Sequence, residues 1–209
     1  DDATWTPEIM YRLAELHFEA STERLARQED AFAKEVDAYQ KALEKNPDAE
    51  PPPSPKPDYA ESLDLYRDIV ARFPRFHLGD GALYMMGTLL YEMEQPEQSR
   101  QSYLALACAN KFEPPDAAGT NLSGNSFPEG IYEGCDPWKQ DSEFVAEAWL
   151  RIGETHYDAD QYGPALDAYA KAASSPEDDL YDEALIRKAW ALYLMRDFPA
   201  AAKTFDEFI

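Results

Sequence analysis

The feature that most constrains this chain is an internal repeat in its small and bulky residues. Trp149, Ile152-Gly153 and His156 set a spacing that continues with Ala165 and Tyr169. The same spacing returns, 36 residues on, in Leu185, Lys188-Ala189, Leu192, Ala201 and Phe205. It also occurs 66 residues earlier, about two periods, in Leu83, Met86-Gly87, Leu90, Ser99 and Tyr103. A fourth copy opens with Met10, Leu13-Ala14 and His17 and resumes after an interruption with Ser62, Tyr66, Ile69 and Pro74. Within each copy the apolar residues fall at three- and four-residue steps, as Val145, Trp149, Ile152, His156 and Tyr157 do, which places them on one helix face. A period of this length belongs to stacked helix pairs, because no single pair can bury its own apolar face.

The pattern W-x2-L-G-x2-Y followed by A-x3-F resembles the tetratricopeptide repeat (TPR) family, with four copies covering most of the chain. The resemblance implies an all-α, right-handed superhelix of stacked antiparallel helix pairs. In that fold the column Ala14, Gly87, Gly153, Ala189 must be small because the two helices of a pair cross there. Ser62, Ser99, Ala165 and Ala201 are small for the matching reason, and the rings Tyr66, Tyr103, Tyr169 and Phe205 fill the space between neighbours. Lys188 is the odd member, tolerable if its stem packs and its ammonium reaches water. The expected organisation is a single array over 1–209: a first repeat at 7–76, a second at 80–110, a third at 146–178 and a fourth at 182–209. The last stops within an apolar helix face at Phe208-Ile209, so further repeats are expected beyond it.

Two irregular insertions interrupt the array. Glu19 to Lys45 stays helical, with Leu25, Phe32, Val36, Tyr39 and Leu43 at helical steps, so the first helix is much extended. The insert at 46–58 then carries six prolines between Pro47 and Pro57 and reads as a stiff extended segment. It is either a bare connection or a strand offered to a partner. The second insertion, 110–141, is rich in Pro, Gly, Asn and Ser and is bracketed by the only cysteines, Cys108 and Cys135. A pair flanking such an excursion points to a disulfide worth roughly 3.6 kcal/mol on the chain-entropy account, and so to an oxidising compartment. The other reading is two unrelated thiols, with Cys108 buried as a small apolar residue.

Charge removes whole classes of function. With 41 acidic and 19 basic residues, the net charge is -22, which opposes both phosphate-driven nucleic-acid binding and docking on anionic lipid. No apolar run approaches the ~20 residues of a membrane-spanning helix.

Chemistry finds little purchase. His17 and His156 share a column where the repeat places a ring, so packing explains them; His77 stands beside Phe76 with no second ligand. No zinc-ligand spacing occurs. Asp158, Asp160 and Gly163 loosely match a calcium loop, but Tyr169 stands where the bidentate Glu belongs. Glu177, Asp178, Asp179, Asp182 and Glu183 cluster at a helix start, where carboxylates suit the dipole and weak cation binding is the only alternative. Asn121-Leu122-Ser123 is a glycosylation sequon. No nucleophile elbow, phosphate loop or kinase motif is present, and the expectation is a protein without catalysis, cofactor or metal.

The resemblance implies instead a concave face lined by the first helix of each pair. Phe18, Tyr91, Tyr157 and Tyr193 form one column there, and Arg12, Met85, Arg151 and Arg187 a second. Tyr11, Tyr84, Leu150 and Ile186 form a third, and Glu15, Thr88, Glu154 and Trp190 a fourth. Exposed rings among arginines are the residue types of binding hot spots, and the expected partner-binding set is Tyr84, Tyr91, Arg151, Tyr157, Arg187, Trp190 and Tyr193. The Lys and Asn carboxylate clamp of TPR co-chaperones is replaced here by Tyr11, Glu15, Tyr84, Thr88 and Glu154. The charge favours a protein partner that is neutral or basic at the contact. Tyr66, Phe73-Pro74 and Tyr84 are similar to the bacterial cell-envelope TPR proteins, which scaffold outer-membrane assembly, envelope division or surface motility from the periplasm. A periplasmic scaffold is thus the expectation, with a cytosolic TPR adaptor as the alternative.

Overall fold

The computed structural model describes residues 2, 5–116, 127, 130–174 and 179–207. The sequon at Asn121, the acidic residues Glu177 and Asp178, and the terminal Phe208-Ile209 lie outside them. The described residues form an all-helical chain that divides into two compact units, Asp1–Tyr66 and Arg67–Ile209. The boundary falls inside helix α2 (Ala60–Arg72).

In the first unit, α1 runs from Trp5 to Leu43, 39 residues, about 58 Å at 1.5 Å per residue. Its buried positions are Pro7, Ala14 and Ser21, seven apart on one face. Against that face lies the start of α2: the Ser62 hydroxyl donates to the Ala14 carbonyl at 3.0 Å, and the Tyr66 ring meets Tyr11 edge-on at 5.4 Å. His17 does not sit in a closed core; its Nδ1 lies 2.9 Å from a Glu61 carboxylate oxygen. Beyond Ser21 the helix keeps only Leu25, Phe32, Val36, Tyr39 and Leu43 half-buried.

Chain geometry accounts for that seam. The Tyr59 ring packs on Phe18, 5.5 Å between centroids, so the proline-rich segment must return from Leu43 to Phe18. Twenty-five helical residues span about 38 Å, and twelve residues of polyproline II at 3.1 Å each span about 37 Å. Ala49, Pro52 and Pro55 are half-buried at the three-residue period of that conformation. An extended segment of that length suffices for the return, and its half-buried positions show that it is not a bare connection.

The second unit holds three helical hairpins: α3 (Gly79–Glu92) with α4 (Pro96–Ala107), α5 (Val145–Asp158) with α6 (Tyr162–Ala172), and α7 (Tyr181–Leu194) with α8 (Phe198–Asp206). Successive hairpins touch through α4 on α5 and α6 on α7. The three hairpin turns are copies of one another. Each places a non-glycine residue in the left-handed region: Glu94 (φ 59°), Asp160 (φ 59°) and Arg196 (φ 64°). The following N–H, of Gln95, Gln161 and Asp197, reaches back to the carbonyl of Leu90, His156 and Leu192 at 2.9, 2.9 and 3.0 Å. This closes the orphan carbonyls of the first helix. The carbonyl of the same residue then opens the second helix by accepting from Ser99, Ala165 and Ala201. Proline in the first turn of α4 and α8 suits a position whose N–H has no helical partner.

The small columns also behave alike. A Cβ on Gly87 would stand 2.6 Å from the Tyr103 ring, and one on Gly153 would stand 2.4 Å from Tyr169. Each ring of a second helix therefore lies directly over the glycine of its own first helix. Ser99 repeats the bond of Ser62, donating to the Gly87 carbonyl at 2.7 Å.

Between α4 and α5 the long insertion is fastened at many points. Cys108 and Cys135 form a disulfide across 27 positions of sequence. The Trp138 N–H donates to the Leu106 carbonyl at 2.8 Å, and its indole lies over Gly79 at the start of α3. Asn110 donates to the Gly134 carbonyl at 2.8 Å, and the Lys111 ammonium to that of Glu133. Tyr132, 1% exposed, anchors the insertion in the core, its ring meeting Trp149 of α5 edge-on at 5.1 Å. Its hydroxyl lies 2.5 Å from His156 Nε2, while His156 Nδ1 lies 2.7 Å from the Gln161 amide oxygen. An amide oxygen only accepts, so Nδ1 carries the proton and Nε2 accepts from Tyr132. Burial first, and Arg100 second, push the His156 pKa down to about 4. The imidazole is a neutral strut in the core.

Candidate functional site

In the second unit a cleft of about 310 Å³ that combines rings and charges lies between α3 and α5. Tyr84, Thr88, Tyr91 and Glu92 line it from α3, and Arg151, Glu154 and Thr155 from α5. Tyr103 of α4 forms its floor. Helical spacing explains the wall, since 84, 88 and 91 stand on one face of α3, and 151, 154 and 155 on one face of α5.

Hydrogen bonds fix the floor. The Thr88 hydroxyl donates to the Tyr84 carbonyl at 3.2 Å and so receives the proton of the Tyr103 hydroxyl at 3.0 Å. The Tyr84 ring stacks on Phe144 at 4.9 Å. Its phenol is pushed up to about 12, by burial first and then by its hydrogen bond to Glu147. Burial, aided by Asp158, also raises Tyr91, whose hydroxyl donates to that carboxylate at 3.1 Å across the cleft. Both phenols stay protonated donors at neutral pH.

The arginines are held in a ladder. Arg151 pairs with Glu147 at 3.0 Å and with Glu154 at 2.9 Å. Arg187 of α7 reaches Glu154 at 3.2 Å and Glu183 at 3.4 Å. Burial alone would lower the Arg151 pKa, but Glu154 and Glu147 outweigh it and hold the guanidinium above its usual value. The ladder ties α5 to α7 and leaves the two terminal nitrogens of Arg151 occupied.

Of the seven groove residues read from the sequence, the cleft gathers Tyr84, Tyr91 and Arg151, with Arg187 joined through Glu154. Tyr157 stands apart, edge-on to Tyr162 at 5.5 Å. Trp190 and Tyr193, each 48% exposed, pair with one another at 5.8 Å near the end of α7, where Leu194, Met195 and Phe198 are also exposed. Sequence columns placed Thr88 and Glu154 on this face without a role. The Glu147, Arg151 and Glu154 pairing was readable from its four- and three-residue steps. Tyr103 as floor was not, because column rules assign that ring to packing alone. Among the described residues no group of His, Cys, Asp or Glu is gathered to hold a metal ion, and no helix is long and apolar enough to cross a membrane.

No protein-family model, curated protein or solved structure matches this chain.

Proposed function

We propose that the chain is a non-catalytic scaffold of the tetratricopeptide type that holds a partner protein segment, neutral or basic at the contact, on the face formed by the first helices of its hairpins. The observation that carries this reading is the α3–α5 cleft, where hydroxyl-bearing rings and a fixed charge ladder surround open space. Among the described residues the cleft's tyrosines are held protonated, and Glu147 and Glu154 are engaged by arginine. Rigid rings with few rotors and pre-positioned charges suit recognition, because little side-chain entropy is lost on binding. The periodic helical turns and small columns support the repeat assignment. The Cys108–Cys135 bridge supports work outside the cytoplasm, in the bacterial cell envelope.

A peptide display selection on this chain tests the interaction reading. Selected peptides should lose at least about tenfold in affinity on Tyr91→Ala with Tyr193→Ala, the scale of a modest hot spot. Binders indifferent to both changes, or no binders at all, would refute it. For the compartment, native-source protein alkylated without reductant should carry no adduct, and two adducts would put the cytosolic adaptor in its place.

A further inference from the structure

From the charge and ring arrangement we infer that the α3–α5 cleft receives a single cationic side chain, lysine or arginine, from the partner segment. The inference rests on the scaffold reading above and names the chemistry that one of its pockets selects. Four carboxylates gather at the cleft: Glu92 and Glu154 in its lining, Glu147 behind Arg151, and Asp158 behind Tyr91. Against them stand two guanidiniums, Arg151 and, through Glu154, Arg187. The site therefore keeps a surplus of negative charge after its own arginines are satisfied. Glu92 makes no ion pair or hydrogen bond among the described residues and stands exposed at the mouth.

An acidic group entering the cleft would find no free cation, because both terminal nitrogens of Arg151 already serve carboxylates. A cationic group would meet the exposed ring of Tyr91 beside that of Tyr84, and ring faces attract positive charge through their quadrupoles. It would also reach Glu92 beyond them. The Thr88–Tyr103 pair leaves acceptor capacity on the floor, since the proton of Thr88 is committed to the Tyr84 carbonyl. Size agrees: about 310 Å³ sits at the small end of ligand pockets, ~300–1,000 Å³, room for one long side chain. This selects the opposite charge from a carboxylate clamp, using the same face of the fold.

The probes are blocked tripeptides, Gly-Xaa-Gly with Xaa as Arg, Lys, Glu or Leu, titrated into the isotope-labelled chain and followed by amide and tyrosine ring NMR shifts. The Arg or Lys peptide should give saturable shifts confined to the α3 and α5 residues of the cleft. Binding should weaken about fivefold in Glu92→Gln, as expected for loss of one exposed charge partner, and further with Tyr91→Ala. Both substitutions are on exposed residues, and unchanged shifts elsewhere would show an intact fold. Shifts spread over the acidic surface without saturation, or stronger binding of the Glu or Leu peptide, would overturn the inference. Selected display peptides separate the two readings. Peptides that need Tyr91 yet carry no basic residue would sink the cationic pocket and leave the scaffold standing. Saturable Arg or Lys binding without any Tyr91-dependent display peptide would do the reverse.

Discussion

His156 makes the stability of the second unit depend on pH in a way that can be worked out beforehand. It is fully buried, donates from Nδ1 to Gln161 and accepts at Nε2 from Tyr132. The groups around it are Tyr132 and the Phe127 ring from the insertion, Gln161 from the hairpin turn and Arg100 from α4, and of these only Arg100 is charged. The folded value of about 4 lies below the ordinary 6.5. Stability held by the neutral ring is therefore complete above pH 6.5 and drains away as pH falls toward 4. At about 1.4 kcal/mol per pH unit, the loss between pH 7 and 4.5 comes to roughly 2.5 kcal/mol. That is a large share of the ~5–15 kcal/mol that holds a domain together. Carboxylates also titrate in this window, so the assay is a comparison. Urea unfolding followed by tryptophan fluorescence at pH 7, 5.5 and 4.5 should show wild type losing about 2.5 kcal/mol more than His156→Gln. Curves that fall in parallel for the two proteins would refute the neutral-strut account.

Three further outcomes follow from the repeated columns. Tyr103→Phe should destabilise by about 1 kcal/mol through loss of its bond to Thr88. Tyr169→Phe removes a buried hydroxyl without a partner among the described residues and should be neutral or stabilising by a similar amount; chemical denaturation of the two variants side by side decides. Gly153→Ala, with its Cβ driven to 2.4 Å from the Tyr169 ring, should cost about 3 kcal/mol, read as a lower denaturation midpoint. Glycine at Glu94, Asp160 or Arg196 relieves a left-handed strain of about 1–2 kcal/mol against its own backbone entropy. Arg196→Gly should gain about 0.5 kcal/mol, and Asp160→Gly should gain less, because it also loses the bond its carboxylate accepts from the Tyr162 hydroxyl at 2.6 Å.

Much of the helical architecture was legible because apolar residues recur at helical steps, and those of Leu25 to Leu43 extend α1 through the first insertion. The rings were expected between neighbouring repeats; the structure lays Tyr103 and Tyr169 over Gly87 and Gly153 of their own hairpins. The bracketing cysteines located the disulfide. The site was less readable. Spacing puts Arg151 and Arg187 on the same face as the tyrosines, and from that face alone they look available to a partner. The partners of Arg151 on its own helix follow from spacing, but the Arg187–Glu154 pair is set by the rotation of α7 against α5, which periodicity does not encode. Tyr132 was invisible for a similar reason: it belongs to an irregular segment with no period, and its partner His156 lies 24 positions away. The proline segment was read as stiff, but its return to Phe18 depends on the matching of two rises per residue, which only the Tyr59–Phe18 contact reveals.

The disulfide has a mechanical consequence. Pulled from its two ends, the chain would carry tension from α4 through the sulfur bridge directly toward α5, and the insertion between Cys108 and Cys135 would bear none of it. The 27 peptide steps it encloses amount to roughly 90 Å of contour at about 3.4 Å each. That length stays hidden from force while the bridge is closed and is released in a single step by a reductant. Stretched on an optical trap, the same polypeptide would thus have two different full extensions, and the difference would report its oxidation state.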